Sequence, residues 1–171
     1  ELVQAALGLA AQRSPAEITT GDLALVIGIT QGGVFKHFDS KEAIWLAVLD
    51  WVRQSLMEQL EQAAQARQDN ALQALCAVFL AHIDFVVQFP GVPRLVFQEL
   101  QHAKPTPLKS RVQQLMADYR TLVTQLLARL TPPGTALASC PPLPAVAEVA
   151  YLTQASEQRI AFDSAQAHVL I

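Results

Sequence analysis

Residues 18–47 read ITTGDLALVIGITQGGVFKHFDSKEAIWLA, and this stretch decides the fold. Its apolar positions predict a short helix over 20–27, a turn at Gly28 and a second short helix from about Gln31 to Phe38. Two helices that cross steeply need a small side chain where the first faces the second, and Ala24 supplies it. They need a residue tolerant of positive φ at the turn, Gly28, and an apolar residue that closes the wedge, Val34. Leu23, Ile27, Ile29 and Phe38 are expected to complete this small core. Thr19 with Asp22, and Asp39 with Glu42, have the spacing of capping boxes, which sets the starts of the second and fourth helices.

The surface of the second short helix carries the functional reading. Thr30, Gln31, Gly32 and Gly33 bring short, polar or absent side chains to its first turn, as entry into a major groove requires. A glutamine there is able to hydrogen-bond adenine through both amide atoms. Lys36, His37 and Lys41 lie where phosphates would pass, beside the backbone N–H groups that open the fourth helix. The same pattern also fits an αα-corner in an ordinary bundle, with His37 as a surface histidine and Phe35 as a core residue.

Outward from this stretch the chain reads as helical throughout. Leu2, Ala5, Ala6 and Leu9 predict a first helix that ends near Ser14-Pro15. A long helix begins after Asp39-Ser40, with Ile44, Ala47, Val48, Trp51, Val52, Leu56 and Leu60 as its buried stripe. The next has the clearest period, Leu72, Leu75, Cys76, Phe79, Leu80, Ile83, Val86 and Val87, and Pro90-Gly91 stops it. A short segment over 92–102 and a Lys104-Pro105-Thr106-Pro107 loop precede a further long amphipathic helix, from Leu108 to Leu130. Five prolines make 131–144 a loop; Val146, Val149, Ala150 and Leu152 then suggest another helix, with a last one near 165–170. The expected fold class is all-α, with a small helix-turn-helix unit over 1–47 and a larger helical body over 48–171.

Composition narrows the function classes. The chain has 171 residues, of which 51% are hydrophobic and 16% charged, with two cysteines, a profile that excludes disordered, disulfide-rich and fibrous classes. Its net charge of −3 announces no nucleic-acid partner in bulk. Within the first 50 residues Arg13, Lys36 and Lys41 face Glu1, Glu17, Asp22, Asp39, Glu42 and Asp50, so a DNA interface rests on placement. No apolar run is read as long enough to span a membrane, and Cys76 and Cys140 stand apart, so a cytoplasmic setting is expected. Phosphate loops, nucleophile elbows and paired acids in apolar surroundings are missing, which argues against an enzyme.

Gly28-Ile29-Thr30-Gln31-Gly32-Gly33-Val34-Phe35-Lys36-His37-Phe38-Asp39-Ser40-Lys41-Glu42-Ala43 resembles the signature of the TetR/AcrR transcriptional regulators. In that family GVS-x-G-x-hydrophobic-Tyr-x-His-Phe-x-x-Lys-Glu spans the recognition helix and the start of the fourth. The resemblance covers roughly the first 47 residues. It implies that Thr20, Thr30, Gln31, Gly32, Gly33, Phe35, Lys36, His37 and Lys41 face double-stranded operator DNA, with Lys41 on a phosphate. Phe35 replaces the usual Tyr, and Gly21 stands where a polar or basic residue is common, which implies weaker anchoring or help from an N-terminal arm. The chain opens at Glu1, within a helical pattern and without an initiator Met, and such an arm is expected upstream.

The resemblance further implies a homodimeric repressor, joined through the last helices (146–171) and released from a palindromic operator by a small, mostly apolar ligand. For that ligand His82, Phe85 and Phe89 share one helical face, and Phe97, His102, Met116 and Tyr119 are candidates for the same space. An ordinary bundle core accounts for each of these residues as well. The 104–109 segment reads as a lid or a plain connection. A metal at His82 and His102 is not expected, since no carboxylate or cysteine is read at matching helical spacing, and no cofactor is expected. The alternative function is an all-α interaction or adaptor module without sequence-specific DNA binding.

Overall fold

The computed structural model describes residues 1–130, which form one compact unit of seven helices. They are α1 (Leu2–Ala10), α2 (Thr20–Ile27), α3 (Gln31–Phe35), α4 (Lys41–Gln65), α5 (Ala71–Gln88), α6 (Gly91–Gln101) and α7 (Pro107–Leu130). The fold is all-α: a short helix-turn-helix at the amino end and a bundle of longer helices. The expected proline loop, the last two helices, Cys140 and the expected dimer segment lie outside the described residues.

Local chemistry sets the helix starts. Thr19 and Asp22 form the expected capping box at α2, and Gly28 ends α2 in the left-handed region at φ 72°. At α4 the cap is Ser40, whose hydroxyl accepts from the Ala43 N–H, so the expected Asp39–Glu42 box is corrected by one residue. Thr106 caps α7 in the same way through the Lys109 N–H, and Lys109 Nζ donates to the His102 carbonyl at 2.6 Å. These bonds make 102–109 a capped connection between α6 and α7.

One apolar core runs through the unit, from Ala6, Leu7 and Ala10 of α1 through Leu23, Ala24 and Val34 to the long stripe of α4. Trp45 and Leu49 join that stripe, while Trp51 is only half-buried. Ala24 and Val34 close the α2–α3 wedge as expected, but Ile29 is 43% exposed and caps the outside of the turn. Two ion pairs tie α4 to α7: Arg53 with Asp118 at 2.5 Å, and Asp50 with Arg111 at 3.2 Å.

α5 has the expected period with the opposite face inward. Ala74, Val78 and Phe85 are buried against α4 and α7, whereas Leu72, Leu80, Ile83 and Val87 are exposed, as is Cys76. Apolar side chains line both faces of this helix, and periodicity alone does not choose between them. The row that turned inward carries Phe85, whose ring meets Trp51 and Phe89 at centroid distances of 6.3 and 4.9 Å. Ala71–Gln88 has a mean hydropathy of 1.7 and is, by length and composition, long enough to cross a membrane, which corrects the expectation that no segment qualifies. The four polar residues along it do not interrupt the apolar character enough to disqualify it.

α1 connects the helix-turn-helix to the bundle, packing on α2, α4 and α6. At its contact with α6 the helices approach so closely that a Cβ at Gly91 would lie 2.2 Å from the Leu7 carbonyl oxygen and 3.0 Å from the Ala10 Cβ. A backbone oxygen cannot move aside as a flexible side chain does. Gly91→Ala is therefore expected to lower stability by about 1–3 kcal/mol, as overpacking does. Urea unfolding checks this, and an unchanged midpoint contradicts the close-packing role.

Candidate nucleic-acid interface

The site is built from the α2 cap outward. The Asp22 carboxylate accepts from the Thr19 hydroxyl and from the Thr19 backbone N–H, both at 2.7 Å, and pairs with Arg13 at 2.9 Å. Those partners, the Thr19 hydroxyl foremost, hold the Asp22 carboxyl down at about 2, against an ordinary value of 3.8. α3 starts at Thr30, whose hydroxyl accepts from the Gly33 N–H at 3.1 Å. Thr30 is thus exposed yet engaged as a cap.

Gln31 donates from Nε2 to the Thr20 hydroxyl at 2.8 Å. Thr20, expected among the DNA-facing residues, is 8% exposed and holds the Gln31 amide from beneath. The second amide hydrogen and the carbonyl oxygen of Gln31 remain for a partner. Gln31, Gly32, Phe35, Lys36 and His37 are exposed, and Gly33 is half-buried. Phe35 at 46% exposure is a surface residue and not part of the core. Leu25 and Val26 of α2 are also exposed, an apolar edge that periodicity gave no reason to single out. Lys41 is half-buried and donates to the Ala16 carbonyl at 2.7 Å. Its partial burial lowers its pKa, opposed by the charge of Asp22.

The two glycines of α3 have no internal explanation. A Cβ at Gly32 would meet only the Thr30 hydroxyl at 3.9 Å, and one at Gly33 would make ordinary contacts at 3.4 Å and beyond. Neither has positive φ. Packing within the chain therefore tolerates alanine at both positions, although glycine weakens a helix by about 1 kcal/mol.

The candidate ligand residues fall into two groups. On α5 and α7, Phe85 is buried and Phe89 meets the Trp51 ring edge-on at 5.1 Å; His82 Nδ1 lies 3.3 Å from the Tyr119 hydroxyl; and Met116 packs against the same core. Burial lowers the His82 pKa and favours its neutral form. On α6, Phe97 is half-buried, and His102 is exposed beside Glu99, with Nε2 3.8 Å from the carboxylate. Glu99 stands three residues before His102, a helical spacing that the sequence reading overlooked. Among the described residues no group of three His, Cys, Asp or Glu is placed to hold a metal ion. A groove of about 990 Å³ between α4 and α7, lined by Asp50, Arg53, Glu58, Arg111 and Asp118, includes none of the seven candidates.

The capped α2, left-handed Gly28 and glycine-opened α3 define a helix-turn-helix. Residues 2–48 match the family described as bacterial regulatory proteins, tetR family. The nucleoid occlusion factor SlmA of Shewanella woodyi is 25% identical over 114 residues, which are 67% of this chain and 57% of that protein. The chain spans about 57–65% of the length of the curated relatives that it matches. Among solved structures, FadR from Bacillus subtilis in complex with stearoyl-CoA shares the fold at TM-score 0.66 and 16% identity, over 79% of this chain and 74% of that one. The putative fatty acid metabolism regulator of Clostridium perfringens does so at TM-score 0.70 and 16% identity, over 95% and 86%.

Two outcomes are expected from this geometry. Gly32→Ala should raise thermal stability slightly, by up to about 1 kcal/mol, while weakening any complex that the first turn of α3 makes with DNA. Calorimetry together with a binding titration separates the two effects, and a loss of stability contradicts the assignment. Because the folded pKa of Asp22 lies below its ordinary value, its stabilising effect is complete above about pH 4 and is lost as pH falls toward 2. Asp22→Asn should flatten the stability curve across that window, as followed by urea unfolding at each pH.

Proposed function

We propose that the chain is a DNA-binding transcriptional regulator, working in the cytoplasm as a homodimer that places one α3 in each half of a palindromic operator. The observation that carries this reading is the first turn of α3, where two glycines that internal packing does not require stand beside a Gln31 held in place from below by Thr20. Such a turn suits close backbone approach to base edges. Exposed Lys36 and His37 would meet phosphates, and Lys41 would exchange its Ala16 carbonyl for one. In this reading residues 1–47 form the DNA-binding domain, and 48–171 carry ligand binding and dimerisation.

The regulatory half of the proposal rests on the α5–α7 aromatic and polar groups. A small, mostly apolar ligand among Phe85, Phe89, His82, Met116 and Tyr119, with Phe97 and His102 from α6, would release the operator. It would have to bind the DNA-incompetent arrangement more tightly, since equal affinity for both arrangements shifts nothing. The names of the curated relatives favour a second reading, a DNA-bound nucleoid occlusion factor. In that case binding sites would be distributed along the chromosome and no small-molecule release would be observed.

Fluorescence polarisation of full-length protein on DNA from upstream of its own gene tests the proposal. Binding should be sequence-specific and steeply salt-dependent. Gln31→Ala should cut discrimination at one base position by about 1–3 kcal/mol, and Lys36→Ala should weaken all sequences alike and reduce the salt slope by about 1. Absence of salt-dependent binding favours the adaptor alternative, and genome-wide distributed binding favours the nucleoid reading.

A further inference from the structure

Over residues 30–33, where α3 begins, Gln31 is the side chain left to read a base edge. Thr30 turns its hydroxyl to its own helix as the cap, accepting from the Gly33 N–H, and Gly32 and Gly33 carry no side chain. Gln31 is exposed and donates from Nε2 to the Thr20 hydroxyl at 2.8 Å. Thr20 opens α2 and is buried, so this bond ties an exposed amide to a residue that packing already holds.

A glutamine amide has two donors and an oxygen with two lone pairs. On an unheld side chain it turns over freely, presents donor and acceptor in either order, and so suits more than one base. The Thr20 bond removes that freedom. Of the two amide hydrogens, the one on the Cγ side points back along the side chain, toward a partner beneath it. The other points outward beside the carbonyl oxygen. The tip of a held Gln31 is therefore one donor next to one acceptor.

In the major groove adenine matches such an edge at both atoms, since N7 accepts and the N6 amino group donates. Guanine sets O6 beside N7, two acceptors, one of which would face the glutamine oxygen. Thymine offers O4 and a methyl group, and cytosine an amino donor, so each meets half of the edge. Holding the amide before DNA arrives also removes part of the cost of ordering it, which is high for a side chain with the rotamer freedom of glutamine.

We infer that Thr20 determines sequence specificity: by fixing the orientation of Gln31 from beneath, it commits the first turn of α3 to adenine at one position of each operator half-site. The inference rests on the DNA-binding reading above. Thr20 is a positioning residue and acts through Gln31. Its hydroxyl carries the effect, so a side chain of the same shape without a hydroxyl loses it, and a smaller one with a hydroxyl keeps it.

Selection of duplexes from a random library by the full chain defines the preferred site, and fluorescence polarisation on that site measures the preference at each position. One position in each half-site should be adenine, and it should be the position that Gln31→Ala relaxes. Replacing that adenine in one half-site by 7-deazaadenine, which lacks the N7 acceptor, or by purine, which lacks the N6 amino group, should each weaken wild-type binding about 5-fold. Thr20→Val should lower discrimination at this position about 5-fold and leave binding to a random duplex unchanged, while Thr20→Ser keeps the wild-type preference. In ¹⁵N-labelled wild type without DNA, the Gln31 side-chain amide, assigned by its loss in Gln31→Ala, should have one proton shifted downfield of its place in other glutamines and the second unshifted. That measurement does not depend on the folding of a Thr20 variant. Another base at the Gln31-dependent position, full discrimination by Thr20→Val, an equal loss on all duplexes, or two unshifted amide protons overturns the inference and leaves the DNA-binding reading intact. Absence of sequence-specific binding by wild type overturns that reading and this inference with it.

Discussion

The position of the helix-turn-helix depends on how closely α1 approaches α6. The Leu7 carbonyl, the Ala10 methyl and the Ala11 N–H face Gly91, whose missing side chain removes the last obstacle between the two backbones. α2 packs on α1, and α3 packs on α2, so both are carried by a nine-residue helix whose other neighbours are α4 and α6.

A second link runs parallel to this contact. Gln98 fastens the α1–α2 loop to α6, Lys41 fastens the same loop to α4, and Arg13 pairs with the α2 cap through Asp22. Each bond is modest and partly solvated, so none is a large source of stability. Their value is geometric, since together they fix the direction in which α2 and α3 leave the bundle. Lys41 belongs to both this link and the proposed phosphate contact, so DNA binding and loop fastening would compete for one ammonium group.

The helix-turn-helix was legible in the sequence because its constraints are local. A capping box, a left-handed glycine and a small residue facing an apolar one act within 16 residues of chain, from Thr19 to Val34, and each has few chemical solutions. The roles of Thr20 and Phe35 were not legible. A buried threonine beneath Gln31 and an aromatic ring turned outward depend on where α2 and α3 settle against the rest, and residue type does not report that. The same holds for α5, where the period was plain and the inward row was decided by the ring contacts of Phe85 with Trp51 and Phe89.

The sequence by itself determined the helix order, the α2 capping box, the turn and the residue types at the first turn of α3, because backbone dihedrals and helical spacing act over a few positions. Tertiary structure alone decided which face of α5 is buried, how Gly91 lets α1 and α6 touch, and that Thr20 lies beneath Gln31. Those outcomes join residues up to 84 positions apart, as Ser14 and Gln98 are. Only the packing of whole helices fixes such distances.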